Sequence, residues 1–257
     1  MKKSKRVVVV SDFHCGHEVG LTPPRWNPEY EADHSSEYRS YMWSKYAEAI
    51  ESLRPIDVLV ANGDLVDGRG ERAGSLELIV MDRMLQAQMA VEVIKLAGAK
   101  KVYITRGTDY HVGPEESWEN LIAERTKADR IGDVLNVDVN GVMFNFRHHI
   151  GGSQTPLGRS TPLTKEAAWN ALWHVRQGFP LADVIVRSHV HYYTYAGGPG
   201  WVALVTPGLQ GYGTRYGERR MSGLIDFGLV SFDVVSKEEF SWTAKTYPFP
   251  TPKPSVA

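Results

Sequence analysis

The chain has 257 residues, with 29 Lys and Arg against 30 Asp and Glu, 42% hydrophobic and 23% charged residues. That balance excludes disordered, fibrous and low-complexity architectures, and the near-neutral charge leaves no global field to gather nucleic acid or an anionic membrane. One cysteine, Cys15, cannot form an internal disulfide, and no stretch approaches the ~20 apolar residues that cross a bilayer, so a soluble, cytoplasmic protein is expected.

Residues 6–11 are a β-branched run, the pattern of a strand buried on both faces, and its apolar part is too short for a signal peptide. The Pro-rich residues 21–28 read as a surface loop. Helical spacing of apolar residues predicts a helix over 36–53, ended by Pro55, and residues 56–62 form a second buried strand. A long helix is expected over 75–97, stopped by Gly98, then a third strand over 101–105, with another helix opening at Pro114. Strands alternating with helices, each strand ending in polar residues, describe an α/β sheet with its site along one edge.

The second half changes character. Residues 133–139 and 142–147 flank Asn140-Gly141, a strong hairpin signal. A helix near 164–177 and short strands over 183–187, 201–205, 224–235 and 240–246 follow, so a mixed sheet or two packed sheets fit better than a doubly wound fold. One domain over residues 1–246 is expected, with a Pro-punctuated tail over 247–257.

Seven of nine histidines (His14, His17, His111, His148, His149, His189 and His191) fall at strand ends or beside them, together with Asp12, Asp64 and Asp67. Imidazole and carboxylate without thiolate form the ligand set of Mn, Fe or Zn in oxygen chemistry. In Asp12-Phe13-His14 an extended backbone would put both polar side chains on one face, and Ser188-His189-Val190-His191 repeats that spacing. Gly63 lets the backbone at Asp64 approach an ion, and the Asp64 carboxylate has two oxygens with which to bridge a pair. Cys15 reads as a small buried filler, His17 as a solvated or rim residue, and Tyr192, Tyr193 and Tyr195 as strand packing. There is no GxxxxGK phosphate loop and no dinucleotide glycine pattern.

In their order these motifs resemble the calcineurin-like metallophosphoesterase superfamily, in the manner of its divergent phage and bacterial members. Asp12-Phe13-His14 is similar to the opening Asp-x-His block, and Gly63-Asp64-Leu65-Val66-Asp67-Gly68 to the Gly-Asp-x-x-Asp-Gly block. Ser188-His189-Val190-His191 is similar to the closing Gly-His-x-His block, with serine in the glycine place. The resemblance implies a sandwich of two mixed β-sheets flanked by helices and a site for two divalent metal ions, Mn favoured over Fe or Zn. One ion would take Asp12, His14 and His191. The other would take His189 and either His148 or His149, with Asp64 bridging; Gly151 nearby favours His149, which would leave its neighbour to contact substrate.

The third block departs from the family's Gly-Asn-His. Here the strand runs into Arg106-Gly107-Thr108-Asp109-Tyr110-His111, with Thr108 in the Asn place, so Asp109 or His111 must supply what is missing, and His111 is expected near the phosphate. The implied activity is hydrolysis of phosphate esters by a hydroxide that the two ions activate, with Arg106, Arg147 or Arg187 neutralising charge. Phosphodiesters are favoured, in nucleotides or nucleic acid, because an activated diester leaves with less help from an acid. The alternative is a catalytically silent fold of the same kind acting as a binding scaffold. No membrane partner is expected, and the oligomeric state is not legible.

Overall fold

In the computed structural model, which describes residues 3–28, 35–70, 74–112, 118–153, 155–214, 217 and 223–250, the β-branched run forms strand β1 (Lys5–Val10). Its two faces serve different cores. Val7 and Val9 face a second sheet while Val8 and Val10 face helices, which is why the strand shows no polar alternation. In β2 (Val58–Asn62), Val58 and Val60 divide from Leu59 and Ala61 in the same way. β3 (Lys101–Thr105) and β4 (Arg130–Gly132) extend this sheet in parallel.

Asn140 and Gly141 turn the chain with φ of 54° and 94°, and β5 (Val134–Val139) pairs antiparallel with β6 (Val142–Arg147) around them. β7 (Val184–Arg187) joins β6 in parallel, β9 (Trp201–Val205) joins β7, and β8 (Thr194–Gly198) closes the edge. The second sheet therefore has the order β5-β6-β7-β9-β8. β10 (Phe227–Val234) and β11 (Phe240–Tyr247) return antiparallel to the first, giving β11-β10-β1-β2-β3-β4.

The two mixed sheets pack face to face. Phe144, Phe146, Val184, Val186 and Leu204 meet Val7, Val9, Val60 and Phe232, with Phe144 edge-on to Phe232 at 5.1 Å. Each such side chain contributes ~1.5–3 kcal/mol by leaving water. Helices α1 (Ser36–Leu53), α2 (Arg83–Leu96) and, after the short α3 (Asp109–Val112), α4 (Trp118–Thr126) cover the outer face of the first sheet. Helix α5 (Thr161–Gln177) lies on β8 and β9 of the second. This is the implied sandwich of two mixed sheets flanked by helices. No helix among the described residues is long and apolar enough to cross a membrane.

Some boundaries differ from expectation. The helix expected from residue 75 begins at Arg83, where the Asp82 carboxylate accepts from the N–H groups of Met84 and Leu85 as an N-cap. The preceding residues instead lie over the loop after β1, with Leu78 bridged to His17 and Glu18 N–H donating to Glu77 O at 2.7 Å. The Pro-rich segment is surface only in part, since Leu21 and Thr22 are buried. β4 and β8 went unseen because one is three residues long and the other is the glycine-ended TYAGG. The helix expected at Pro114 starts at Trp118, residues 113–117 lying outside the described residues. Of the tail, Phe249 packs on Tyr38, Tyr212 and Phe227, while 251–257 lie outside them.

Candidate metal centre

Loops that follow β1, β2 and β3 in one sheet meet loops that follow β6 and β7 in the other. Beneath them runs a buried chain of hydrogen bonds. Thr105 Oγ1 donates to Asn62 Oδ1 at 2.8 Å, and Asn62 Nδ2 donates to Ser188 Oγ at 2.6 Å. Ser188 Oγ then meets Thr206 Oγ1 at 2.7 Å, which meets Ser11 Oγ at 2.8 Å. The chain joins the ends of β3, β2, β7, β9 and β1. Sequence reasoning missed it, because one polar residue closing an apolar strand carries no further signal.

Parallel pairing persists past the strand ends. Asp12 N–H donates to Gly63 O at 3.0 Å and His14 N–H to Asp64 O at 3.1 Å. The backbone here is not the extended one expected from the i, i+2 spacing. Asp12, His14, Asp64, His189 and His191 are five of the eight non-glycine residues with positive φ among the described residues. Each such residue costs about 1–2 kcal/mol of local strain, concentrated where the polar side chains gather.

Two groups of donors result. Asp12, His14 and His191 each offer one atom within 4.8 Å of the others, and so do Asp64, His148 and His189. Asp64 also groups with His14 and His111, so it stands between the two. His191 Nε2 is 3.2 Å from Asp12 Oδ1; His148 Nε2 is 2.9 Å and His189 Nδ1 3.8 Å from Asp64 Oδ2. His148, and not the favoured His149, lies among the donors. His149 is exposed, its ring 4.8 Å from that of His189.

The donor atoms fit divalent ions. Asp12 Oδ1, His14 Nε2 and His148 Nε2 are buried without a hydrogen-bond partner, and His148 Nε2 approaches Asp64 off the line that a hydrogen bond needs. Tautomers follow from what faces the other ring nitrogen. His148 Nδ1 lies 2.7 Å from Asn62 O, and a carbonyl only accepts, so Nδ1 carries the proton and Nε2 offers a lone pair in the neutral ring. His14 Nδ1 likewise donates to Asp67 Oδ1 at 3.1 Å. Buried oxygen and imidazole lone pairs oriented in this way match the Mn, Fe and Zn class.

Burial alone would raise the carboxyls of Asp12 and Asp64. The imidazoles of His191 and His148 beside Asp12, and of His148 and His189 beside Asp64, outweigh it and hold both well below the usual carboxylate range. Burial, with His111 and His191 adjacent, pushes His14 well below the usual imidazole range. His148 goes the other way: burial lowers it, but Asp64 and then Asp12 raise it to about 10.

The third loop shows what stands in place of the absent asparagine. Thr108 donates its N–H to Asp64 Oδ1 at 2.7 Å and its hydroxyl to the same atom at 3.1 Å, orienting that carboxylate. Glu119, wholly buried on α4, accepts from Gly107 N–H at 2.8 Å and Leu65 N–H at 3.3 Å and so ties this loop to the one carrying Asp64; burial pushes its carboxyl up to about 7. Nothing in the sequence pointed to it. His111 lies against His14, ring centroids 4.5 Å apart, and its Nδ1 donates to Asp67 O at 3.0 Å. Asp109 is exposed and belongs to none of the three groups of donors. Asp67 holds His14 and the loop. His17 is buried, contrary to its reading as a rim residue, and its Nδ1 accepts from Val19 N–H at 3.1 Å. Cys15 is the buried filler expected. The three arginines are engaged elsewhere: Arg106 with Asp133 at 3.0 Å, and Arg147 and Arg187 with Glu166 at 2.6 and 2.8 Å.

No protein-family model matches the chain, and no curated protein matches it in sequence. Among solved structures it is similar to a purple acid phosphatase, PPD1, from yellow lupin (Lupinus luteus) seeds, with a TM-score of 0.53 and 13% identity over 96% of this chain and 52% of that one. An archaeal phosphodiesterase follows at a TM-score of 0.49 and 14% identity, over 93% and 99% of the two chains. Zinc-bound Vps29 from Entamoeba histolytica gives 0.44 and 10%, over 94% and 98%. At such identities the likeness is one of fold.

Proposed function

We propose, for a chain that has the calcineurin-like metallophosphoesterase fold, that it is a metal-dependent phosphoesterase with two divalent ions between its sheets. The observation that carries this is the convergence of Asp12, His14 and His191 beside Asp64, His148 and His189, with three buried donor atoms left without partners. Ions bound there supply Lewis acidity, drawing phosphoryl oxygens and acidifying water. The chain's own residues do the rest. Asp67 and the Asn62 carbonyl fix the proton on Nδ1 of His14 and His148, so each presents Nε2. Thr108 holds the Asp64 carboxylate from the side. His111, its Nδ1–H held by the Asp67 carbonyl, would as imidazolium give the Nε2 proton to a leaving oxygen and be left as the neutral Nδ1–H ring.

That role for His111 removes the ground for a diester preference, which rested on a missing acid; the substrate class is phosphate esters. One observation favours a binding scaffold instead: Thr108 hydrogen-bonds Asp64 where the family has a ligand. Turnover of bis(p-nitrophenyl) phosphate and p-nitrophenyl phosphate, with metal content measured after loading with Mn, Zn or Fe, decides. Two ions per chain with turnover that disappears in Asp64→Ala and His14→Ala is the expected result. Two ions without turnover on either ester means the scaffold, and absence of bound ions overturns both readings.

A further inference from the structure

Helix α5 is apolar where a surface helix is ordinarily polar. Toward the sheet it presents buried Leu163 and half-buried Ala167, which pack on Ile185, Ala203 and Val205. At ~100° per residue the side away from the sheet carries Trp169, Leu172 and Trp173 at i, i+3 and i+4, while Val175 lies on the flank, about 160° round from Trp173. These are 51%, 47%, 51% and 81% exposed. Beyond Gly178, which turns the chain with φ of 69°, Phe179 and Leu181 extend the ridge, and Phe179 stands edge-on to Trp173 at 5.6 Å. Every residue over 171–181 is exposed.

Five large apolar side chains on the ridge, Trp169, Leu172, Trp173, Phe179 and Leu181, each about half exposed, present roughly 450 Å² if an aromatic side chain brings ~150–250 Å² and a leucine an area toward the lower end of that range. That lies within the ~300–600 Å² of the largest apolar patch on an ordinary monomer, a patch that is often functional. A stable interface takes ~800 Å² per partner, so the ridge would form its apolar centre and its polar neighbours the rim. The ridge is convex and nearly uncharged, Arg176 being the one Lys, Arg, Asp or Glu over 166–181 besides Glu166, which turns inward to Arg147 and Arg187. A membrane-surface helix needs a basic flank that this one lacks.

We propose that α5 is the interface between two copies of this chain, pairing antiparallel about a two-fold axis near Leu172 and Trp173. Such a pairing is self-complementary: the i, i+3 and i+4 ridge of one helix enters the grooves of the other, and Arg176 comes beside Trp169 of the partner subunit, where a guanidinium stacks on indole while the two arginines stay apart. The proposal is independent of the metal centre.

Analytical ultracentrifugation of the full chain at micromolar concentrations tests it. The wild type is expected to sediment as a dimer, and the Trp169→Glu/Trp173→Glu variant as a monomer with unchanged circular dichroism and metal content. Leu172→Cys is expected to give a covalent dimer on mild oxidation, since Cys15 is buried and does not compete. A monomeric wild type overturns the proposal, whether the ridge then binds anionic vesicles or is covered by residues 251–257. So does a dimer that persists in the double variant with no cross-link through Leu172→Cys.

Discussion

Replacing Gly63 with alanine places a methyl group where the His148 ring stands. The added Cβ would lie 2.5 Å from His148 Cγ and Nδ1. Ordinary contact between such atoms is ~3.5 Å, so the ring must retreat by about 1 Å. It does so against the bond from Nδ1 to Asn62 O, which fixes the direction in which Nε2 offers its lone pair. Displacement of a positioned group by about 1 Å costs roughly 10²-fold in turnover, and loss of a ligand's orientation costs roughly 10–100-fold in metal affinity. A Cβ at the Gly63 φ of 83° adds about 1–2 kcal/mol of backbone strain. Gly141→Ala is the matched control, with a φ of 94° and nothing within 4 Å of its Cβ. Urea unfolding is expected to show the strain cost in both variants, with a further ~1–3 kcal/mol from overpacking in Gly63→Ala, while metal content and p-nitrophenyl ester turnover fall in Gly63→Ala alone. A Gly63→Ala protein with full metal content and full turnover, or a Gly141→Ala protein equally depleted, would refute the reasoning.

Three further outcomes are expected. His148 sits at about 10 in the ion-free protein against an ordinary 6.5, so an ion must displace its proton at neutral pH. Metal affinity should then rise up to about tenfold per pH unit with one proton released, which calorimetry in buffers of different ionisation enthalpy reads; pH-independent binding without proton release contradicts it. In the ion-free state the sign is opposite: the His148 contribution to stability, full below 6.5, is lost as pH rises through about 10. Asp67→Ala leaves His14 Nδ1–H without its acceptor and should weaken metal binding roughly 10–100-fold with the melting transition kept; unchanged affinity by titration removes Asp67 from the site. Glu166→Ala leaves the charge of Arg187, which is 5% exposed, without its carboxylate beside Arg147, though Asn145 and the Val186 carbonyl still accept from it, and should cost about 3 kcal/mol in denaturant unfolding; a loss within error means solvent reaches that guanidinium.

The strands that bear the site were legible because burial on two faces leaves an unbroken apolar run, as in Val7 to Val10, and because Asn140-Gly141 admits few turns besides its own. The candidate donors were legible for a related reason: Asp12, His14, His189 and His191 come within a few residues of the end of such runs, where packing has no use for them. The choice between His148 and His149 was not. In the sequence Gly151 lies near the pair, whereas the glycine whose missing Cβ makes room for His148 among the candidate donors is Gly63, in the other sheet. Glu119, Glu166 and Thr206 were invisible for the same reason: each acts on residues far away in sequence, and none belongs to a local pattern. The early start expected for the second helix came from reading Leu76 and Ile79 as a helical stripe, when Leu76 is 66% exposed and Asp82 was the boundary signal.

The hydroxyl and amide chain through Thr105, Asn62, Ser188, Thr206 and Ser11 runs across the seam between the sheets. Apolar faces resist being pulled apart but are forgiving about lateral offset, since a valine slid by a fraction of an ångström still touches valines. Directional bonds are not forgiving. Three of the candidate ligands, Asp12, His14 and Asp64, belong to one sheet and three, His148, His189 and His191, to the other, so shear between the layers would alter the gauge of the site before it altered the core. The row of small polar groups acts as the dowel of the sandwich, and its placement directly under the donors sets the dimension to which the chemistry is most sensitive.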